Sequence, residues 1–169
     1  MDANPTRSTA PAGLYTPEQR LRRDRSRWTV VQAVLAPLQL LVMVVSAALV
    51  VRYLVTDDGL AAAKVSVVVK TLALYAIMAT GSIWEKEVFG RWLFAAPFFW
   101  EDVVSMGVIA LHTLYLAGLA WPLLSERGLM QLALAAYAAY AINAAQFVLK
   151  LRAARLQERA AITLAGAGA

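Results

Sequence analysis

Glu101 and Asp102 stand together at the mouth of a long apolar run, and the only histidine of the chain, His112, lies inside it. Residues Val103 to Leu124 contain no Asp, Glu, Lys or Arg. Ionisable groups in such a run are expensive to keep in lipid and usually face a bundle interior or a watery cavity. At about 100° per residue, Glu101, Ser105, Val108, His112 and Tyr115 share one helix face, while Asp102 begins the next stripe with Met106, Ile109 and Thr113. Glu101 and His112 are then about 16 Å apart along the axis. They cannot hydrogen-bond to each other, but they could touch two parts of one large ligand. A plainer account is that the two carboxylates cap a helix N-terminus, where anions are favoured. That account suits one of the two better than both, since neutral caps would serve as well.

His112 admits three readings: a neutral, hydrogen-bonded core residue, an axial ligand to a metal through a ring nitrogen, or an acid or base. A single histidine does not make a protein-held transition-metal site. It does suffice for the open axial position of a metal already held in a tetrapyrrole. On the preceding apolar run, Glu85 and Glu87 are about 200° apart, so a straight helix turns only one of them inward. Glu85 is expected at the depth of Glu101 and Asp102. Carboxyl groups packed together do not ionise independently, which suits a general acid. Lys70 is expected to snorkel outward. Gln32, Gln39, Asn143 and Gln146 either join helices by hydrogen bonds or line a shared polar cavity. Pro37 is expected to kink its helix and free a carbonyl.

The elements that carry these groups follow from composition. The chain has 169 residues, 60% of them hydrophobic, and a mean hydropathy of +0.59. That is too apolar for an ordinary soluble domain. There is no cysteine, which excludes disulfides, thiolate metal sites and cysteine-ligated clusters. The net charge of +5 sits at the ends of apolar runs, and no nucleic-acid-reading motif accompanies it. Four runs, Trp28 to Val51, Val65 to Trp84, Val103 to Leu124 and Gly128 to Leu149, are each long enough to cross a bilayer as a helix. The first is too long for a signal-peptide core and lacks a cleavage site after it. Twelve Lys and Arg residues fall in the two terminal segments and the middle loop, against three in the other two loops. Both termini and the middle loop are therefore expected in the cytoplasm. Trp28, Trp84, Trp92, Trp100 and Trp121 lie near the expected helix ends, where aromatic belts form.

The expected fold is an all-α integral membrane protein, a bundle of four transmembrane helices preceded by a short amphipathic helix. Residues 1–14 are expected to be a disordered tail, 15–156 a single membrane domain and 157–169 a flexible tail. Thr16-Pro17-Glu18-Gln19 has the form of a capped helix start. Asp57-Asp58-Gly59 and the segment from Trp121-Pro122 to Gly128 are short turns that make antiparallel neighbours.

The segments Tyr15 to Arg20 (YTPEQR), Trp28 to Leu41 (WTVVQAVLAPLQLL), Gly81 to Lys86 (GSIWEK), Phe98 to Asp102 (FFWED) and Ala135 to Gln146 (AAYAAYAINAAQ) resemble the 3-vinyl bacteriochlorophyllide hydratase family of bacteriochlorophyll biosynthesis. The likeness covers roughly Tyr15 to Leu156. It implies a small hydro-lyase of a bacterial inner membrane, cytoplasmic or photosynthetic. Such an enzyme adds water to the C3 vinyl group of a chlorophyllide or bacteriochlorophyllide and leaves a 1-hydroxyethyl group. The implied partners are the pigment, the bilayer and other pigment-biosynthesis enzymes, with no nucleic acid. No cofactor is implied, because the magnesium belongs to the substrate.

Hydration of a conjugated vinyl group needs a carboxylic acid to protonate the terminal carbon, a carboxylate to receive the proton of water, and an apolar slot for the pigment. Side-chain chemistry nominates Glu101, Asp102 and Glu85 as the acid–base set, with Glu101 favoured because it shares the His112 face. It nominates His112, Trp100, Phe99, Ser105, Gln146 and Gln39 for the substrate, His112 as an axial ligand to the substrate magnesium. Two other classes stay open: a non-catalytic pigment-binding or assembly subunit, and a small proton or solute carrier.

Overall fold

The computed structural model describes residues 14–121 and 124–167, and among them the chain forms five helices and no strand. These are α1 (Pro17–Arg25), α2 (Arg27–Thr56), α3 (Leu60–Phe89), α4 (Phe99–Ala120) and α5 (Glu126–Ala167). The last four are each long and apolar enough to cross a membrane. Their exposed side chains are largely valine and leucine, such as Val34, Leu41, Val55 and Leu114. This outer surface suits lipid, and in lipid a helix is stable because its backbone polar groups pair internally.

Local chemistry sets the ends. Thr16 and Gln19 form a reciprocal capping box, the Thr16 hydroxyl accepting from the Gln19 N–H at 3.2 Å and the Gln19 side chain accepting from the Thr16 N–H at 2.9 Å. Ser26 leaves the helical region and separates α1 from α2, accepting the Trp28 N–H at 3.2 Å. Between α2 and α3 the chain turns through Asp57 and Gly59, both left-handed. Arg52 pairs with Asp58 and Arg127 with Asp57, fastening this end of the bundle. Gly90 ends α3 in the left-handed conformation that glycine adopts without steric cost. Pro37 lies inside α2, which continues through it.

The principal packed pairs are α2 with α3 and α4 with α5. The pairs join through α2–α5 and α3–α4 contacts. At Gly118 an added Cβ would come 3.0 Å from Leu129 Cδ1, so glycine permits the close approach of α4 to α5. Val50, Tyr53, Val67, Tyr115 and Met130 form a core at the Asp57 end. Leu74, Val108 and Tyr140 continue it through the middle. Tyr15, Val88 and Phe98, with Trp84, Phe89 and Phe147, close the other end and clamp the chain just before α1.

α5 runs as helix to Ala167, since nothing from Leu156 to Ala165 breaks a helix. One expectation changes: Lys70 does not snorkel outward. It is 0% exposed, its ammonium donates to Gln39 Oε1 at 2.8 Å, and it stands 3.8 Å from the centroid of the Tyr140 ring. Lys70 sits on the face of α3 turned to α2 and α5, so hydrogen bonding and the aromatic face stand in for water. The proposed tail at 1–14 falls outside the described residues except for Leu14.

Candidate active site

The face expected on α4, Glu101, Ser105, Val108, His112 and Tyr115, is buried in the bundle, and the structure adds to it Asp102, expected on the neighbouring stripe, and Gly118. Glu101 and Asp102 are both buried although successive, because they open the helix where α3, α5 and the 90–98 loop all press on it. Of the two acidic residues ending α3, Glu85 turns inward and Glu87 turns out, where it accepts from Ser26 Oγ at 2.7 Å.

The structure then makes a pairing that spacing could not. Glu85 and Asp102 face each other closely enough for their carboxyl groups to hydrogen-bond. The loop between α3 and α4 holds both. The Phe94 N–H donates to Asp102 Oδ2 at 2.8 Å, and the adjacent Ala95 N–H donates to Glu85 Oε2 at 3.2 Å. A hydrogen bond between two carboxyl groups requires a proton between them. Glu101, the carboxylate that shares the His112 face, is engaged elsewhere. It accepts from Lys150 Nζ of α5 at 2.6 Å. Lys150 is a site residue that the sequence reading missed. Its signal was its position as the first cation after the fourth apolar run, at the depth of the carboxylates.

Phe94 has φ +58, in the left-handed region. For a residue carrying a Cβ this costs roughly 1–2 kcal/mol, and such strain persists only where its surroundings enforce it. The Phe94 ring lies 5.8 Å from Phe99, and Phe99 lies 5.4 Å from Trp100. Phe99 is 44% and Trp100 70% exposed, so the two nominated aromatics form a shelf on the outer surface beside the carboxyl pair and do not enter the bundle. The inward aromatic is Phe98, which packs on Trp84, Phe89 and Phe147. Two shallow apolar grooves open on the helix surfaces, one along α2 and one between α2 and α3; no carboxyl group lines either.

The remaining nominated residues occupy deeper layers. Ser105 Oγ accepts from Asn143 Nδ2 at 2.8 Å, which ties α4 to α5. Gln146 Oε1 and Asn143 Oδ1 are buried without a hydrogen-bond partner. Gln32 donates to Thr80 Oγ1 at 2.7 Å. Gln39 is committed to Lys70 and to the Ala73 carbonyl. His112 is fully enclosed; its Nδ1 meets the Val108 carbonyl at 2.8 Å, its ring packs near Tyr137, and its Nε2 has no hydrogen-bond partner. It lies about three helical turns along α4 from Glu101. That is farther than a vinyl group lies from the metal of its own macrocycle. Among the described residues no three His, Asp or Glu side chains gather as a protein-held metal would require.

Comparison with known proteins gives concordant results. The family model described as 2-vinyl bacteriochlorophyllide hydratase matches residues 15–153. A protein of that name from Cereibacter sphaeroides is 59% identical over 161 residues, covering 93% of this chain and 98% of its own length. Another of that name from Rhodobacter capsulatus is 58% identical over 157 residues, covering 91% of this chain and 87% of its own. No solved structure matches significantly.

Proposed function

Since this chain belongs to the 2-vinyl bacteriochlorophyllide hydratase family, we propose that it adds water across the vinyl group of a bacteriochlorophyllide, with Glu85 and Asp102 as the acid–base pair. The 2-vinyl and 3-vinyl names number one substituent under two conventions for the macrocycle.

The pair carries one proton in its resting form. That proton passes to the terminal vinyl carbon, leaving a cation at the inner carbon that the conjugated ring delocalises. The pair is now fully ionised. Water attacks the inner carbon through oxygen, a C–O bond forms, and the surplus proton returns to the pair. The net change is the addition of one water to the pigment. No electron is gained or lost, so no redox cofactor is needed, and magnesium enters as part of the substrate. Glu101 flanks the pair, engaged by Lys150 of α5.

A flat pigment lies against the Phe94–Phe99–Trp100 shelf at the membrane boundary, with its vinyl edge turned to the pair. Phe99 and Trp100 are therefore docking residues, whereas Ser105 and Gln39 tie helices together behind the site. The distance to His112 argues against one pigment meeting both His112 and the carboxyl pair, so His112 is left in the core. The charge asymmetry of the loops orients both termini and the carboxyl pair to the cytoplasmic side of a bacterial inner membrane. Other pigment-synthesis enzymes are its proposed neighbours in that membrane.

The observation that carries the proposal is the Glu85–Asp102 pair fastened by adjacent backbone N–H groups. The test is incubation of the purified full-length protein, in lipid, with a vinyl-bearing bacteriochlorophyllide. Mass spectrometry should show pigment gaining one water. Unchanged pigment, bound tightly to the protein, would point to a pigment-carrying subunit instead.

A further inference from the structure

Phe94 is the only residue between Gly90 and Phe99 that adopts positive φ, and a phenylalanine gains nothing by doing so locally. The consequence lies in its backbone. Successive N–H groups around a left-handed residue can point to one side and form a concavity that holds negative charge. Here the two N–H groups are those of Phe94 and Ala95, and their acceptors are the two carboxyls of the proposed acid–base pair. The loop is anchored on both flanks. Gly90 closes α3, and the Phe98 N–H donates to the Ala95 carbonyl at 2.8 Å as the chain enters α4.

We propose that Phe94 is a positioning residue for the hydration reaction: its left-handed backbone makes the Phe94–Ala95 peptide segment a cradle that holds Glu85 and Asp102 face to face. This rests on the functional reading given above. Two carboxyls brought together in an apolar bundle would separate or both stay protonated without such a cradle. Two N–H donors stabilise one negative charge shared across the pair, and the carboxyl–carboxyl hydrogen bond keeps the remaining proton between them. The charged groups that face the pair are Glu101 of α4 and Lys150 of α5; these two are paired with each other, so their charges largely cancel at the pair. The cradle is a property of the main chain, and the Phe94 side chain serves separately as part of the docking shelf.

That separation makes the proposal testable by the shape of residue 94. Glycine and asparagine both accept positive φ and keep the N–H, but neither keeps the ring. Valine keeps the N–H, yet its branched Cβ resists positive φ. Full-length wild type, Phe94→Gly, Phe94→Asn and Phe94→Val would be compared in lipid by two readouts. The first is the infrared carbonyl stretch of a protonated carboxyl, recorded without substrate across pH and assigned through its loss in Glu85→Gln and Asp102→Asn. The second is kcat and KM for hydration.

Phe94→Gly and Phe94→Asn are expected to keep the wild-type band and its titration, and to keep kcat within about threefold while KM rises. Phe94→Val is expected to lose or shift the band and to lower kcat about tenfold or more. If Phe94→Val does not fold, the glycine and asparagine variants still decide. Loss of the band in both would show that the ring, and not the backbone, holds the pair, which would overturn the proposal. An unaltered band and titration in a folded Phe94→Val would overturn it as well. The infrared readout needs no turnover. A band that behaves as expected in a series that hydrates no pigment would overturn the hydratase reading, and with it the catalytic purpose of Phe94, while establishing the cradle.

Discussion

Replacing Glu85 by glutamine tests the acid–base assignment with little structural disturbance. The amide oxygen can still accept the Ala95 N–H, now held at 3.2 Å, and the amide nitrogen can donate to Asp102. Both hydrogen bonds of the site therefore survive, and fold stability should change by less than about 1 kcal/mol. What disappears is the transferable proton, because an amide does not exchange it on the time scale of catalysis. Loss of a positioned general acid or base costs about 10² to 10⁴ in rate, or about 2.7–5.4 kcal/mol in the barrier. Glu85→Leu should cost the same in rate and a further ~1–3 kcal/mol in stability, since the buried Ala95 N–H is left without an acceptor. Turnover would be followed by mass spectrometry of the pigment, with membrane levels and detergent melting measured alongside. Asp102→Asn should resemble Glu85→Gln, and the double variant should be little worse than either, because the two act as one unit. Glu101→Gln should lose less than about tenfold, since it only breaks a partly exposed ion pair. Full activity in Glu85→Gln, or a Glu101→Gln loss larger than that of Glu85→Gln, would refute the pairing and return the role to Glu101.

The other expectations are structural. Lys70→Met should leave Gln39 Oε1 without its donor and remove the cation over Tyr140, yet it also removes a buried charge, so melting should shift by no more than about 2 kcal/mol in either direction, whereas Gln39→Leu, which strands Lys70, should be clearly destabilising by about 3 kcal/mol or more. Phe98→Ala should cost about 3–5 kcal/mol, as its ring joins α4 to α3, α5 and the chain before α1; melting of the purified protein checks this, and a loss under 1 kcal/mol would contradict the packing. His112→Asn should leave affinity for magnesium pigment within about threefold, and a tenfold loss confined to the magnesium form would restore His112 as a ligand. Reporter fusions at both termini and at Asp58 should report cytoplasm, cytoplasm and the opposite side in turn; a cytoplasmic signal at Asp58 would reverse the orientation.

Sequence alone determined the elements. Four spans, their turns at Asp57–Gly59 and the capping box at Thr16 follow from helical length, hydropathy and local hydrogen bonding, all of which act over a few residues. The buried face of α4 was legible for the same reason: polar groups in an apolar helix line up at helical period on the side away from lipid. The choice of Glu85 over Glu87 as the inward residue followed from angle and depth. Sequence did not determine which carboxyl meets which. Glu101 and Asp102 are neighbours in the chain, yet one goes to Lys150 and the other to Glu85, because packing of α3 and α5 against α4 sets their partners. Lys70 escaped for a related reason. Snorkelling is the default for a lone lysine in an apolar run, and here Gln39 and Tyr140 on the facing helices supply the partners that full burial requires. The left-handed Phe94 carries no local signal at all, since phenylalanine disfavours that conformation. Its N–H and that of Ala95 meet two carboxyls arriving from different helices, and such long-range contacts exist only once the tertiary structure has formed.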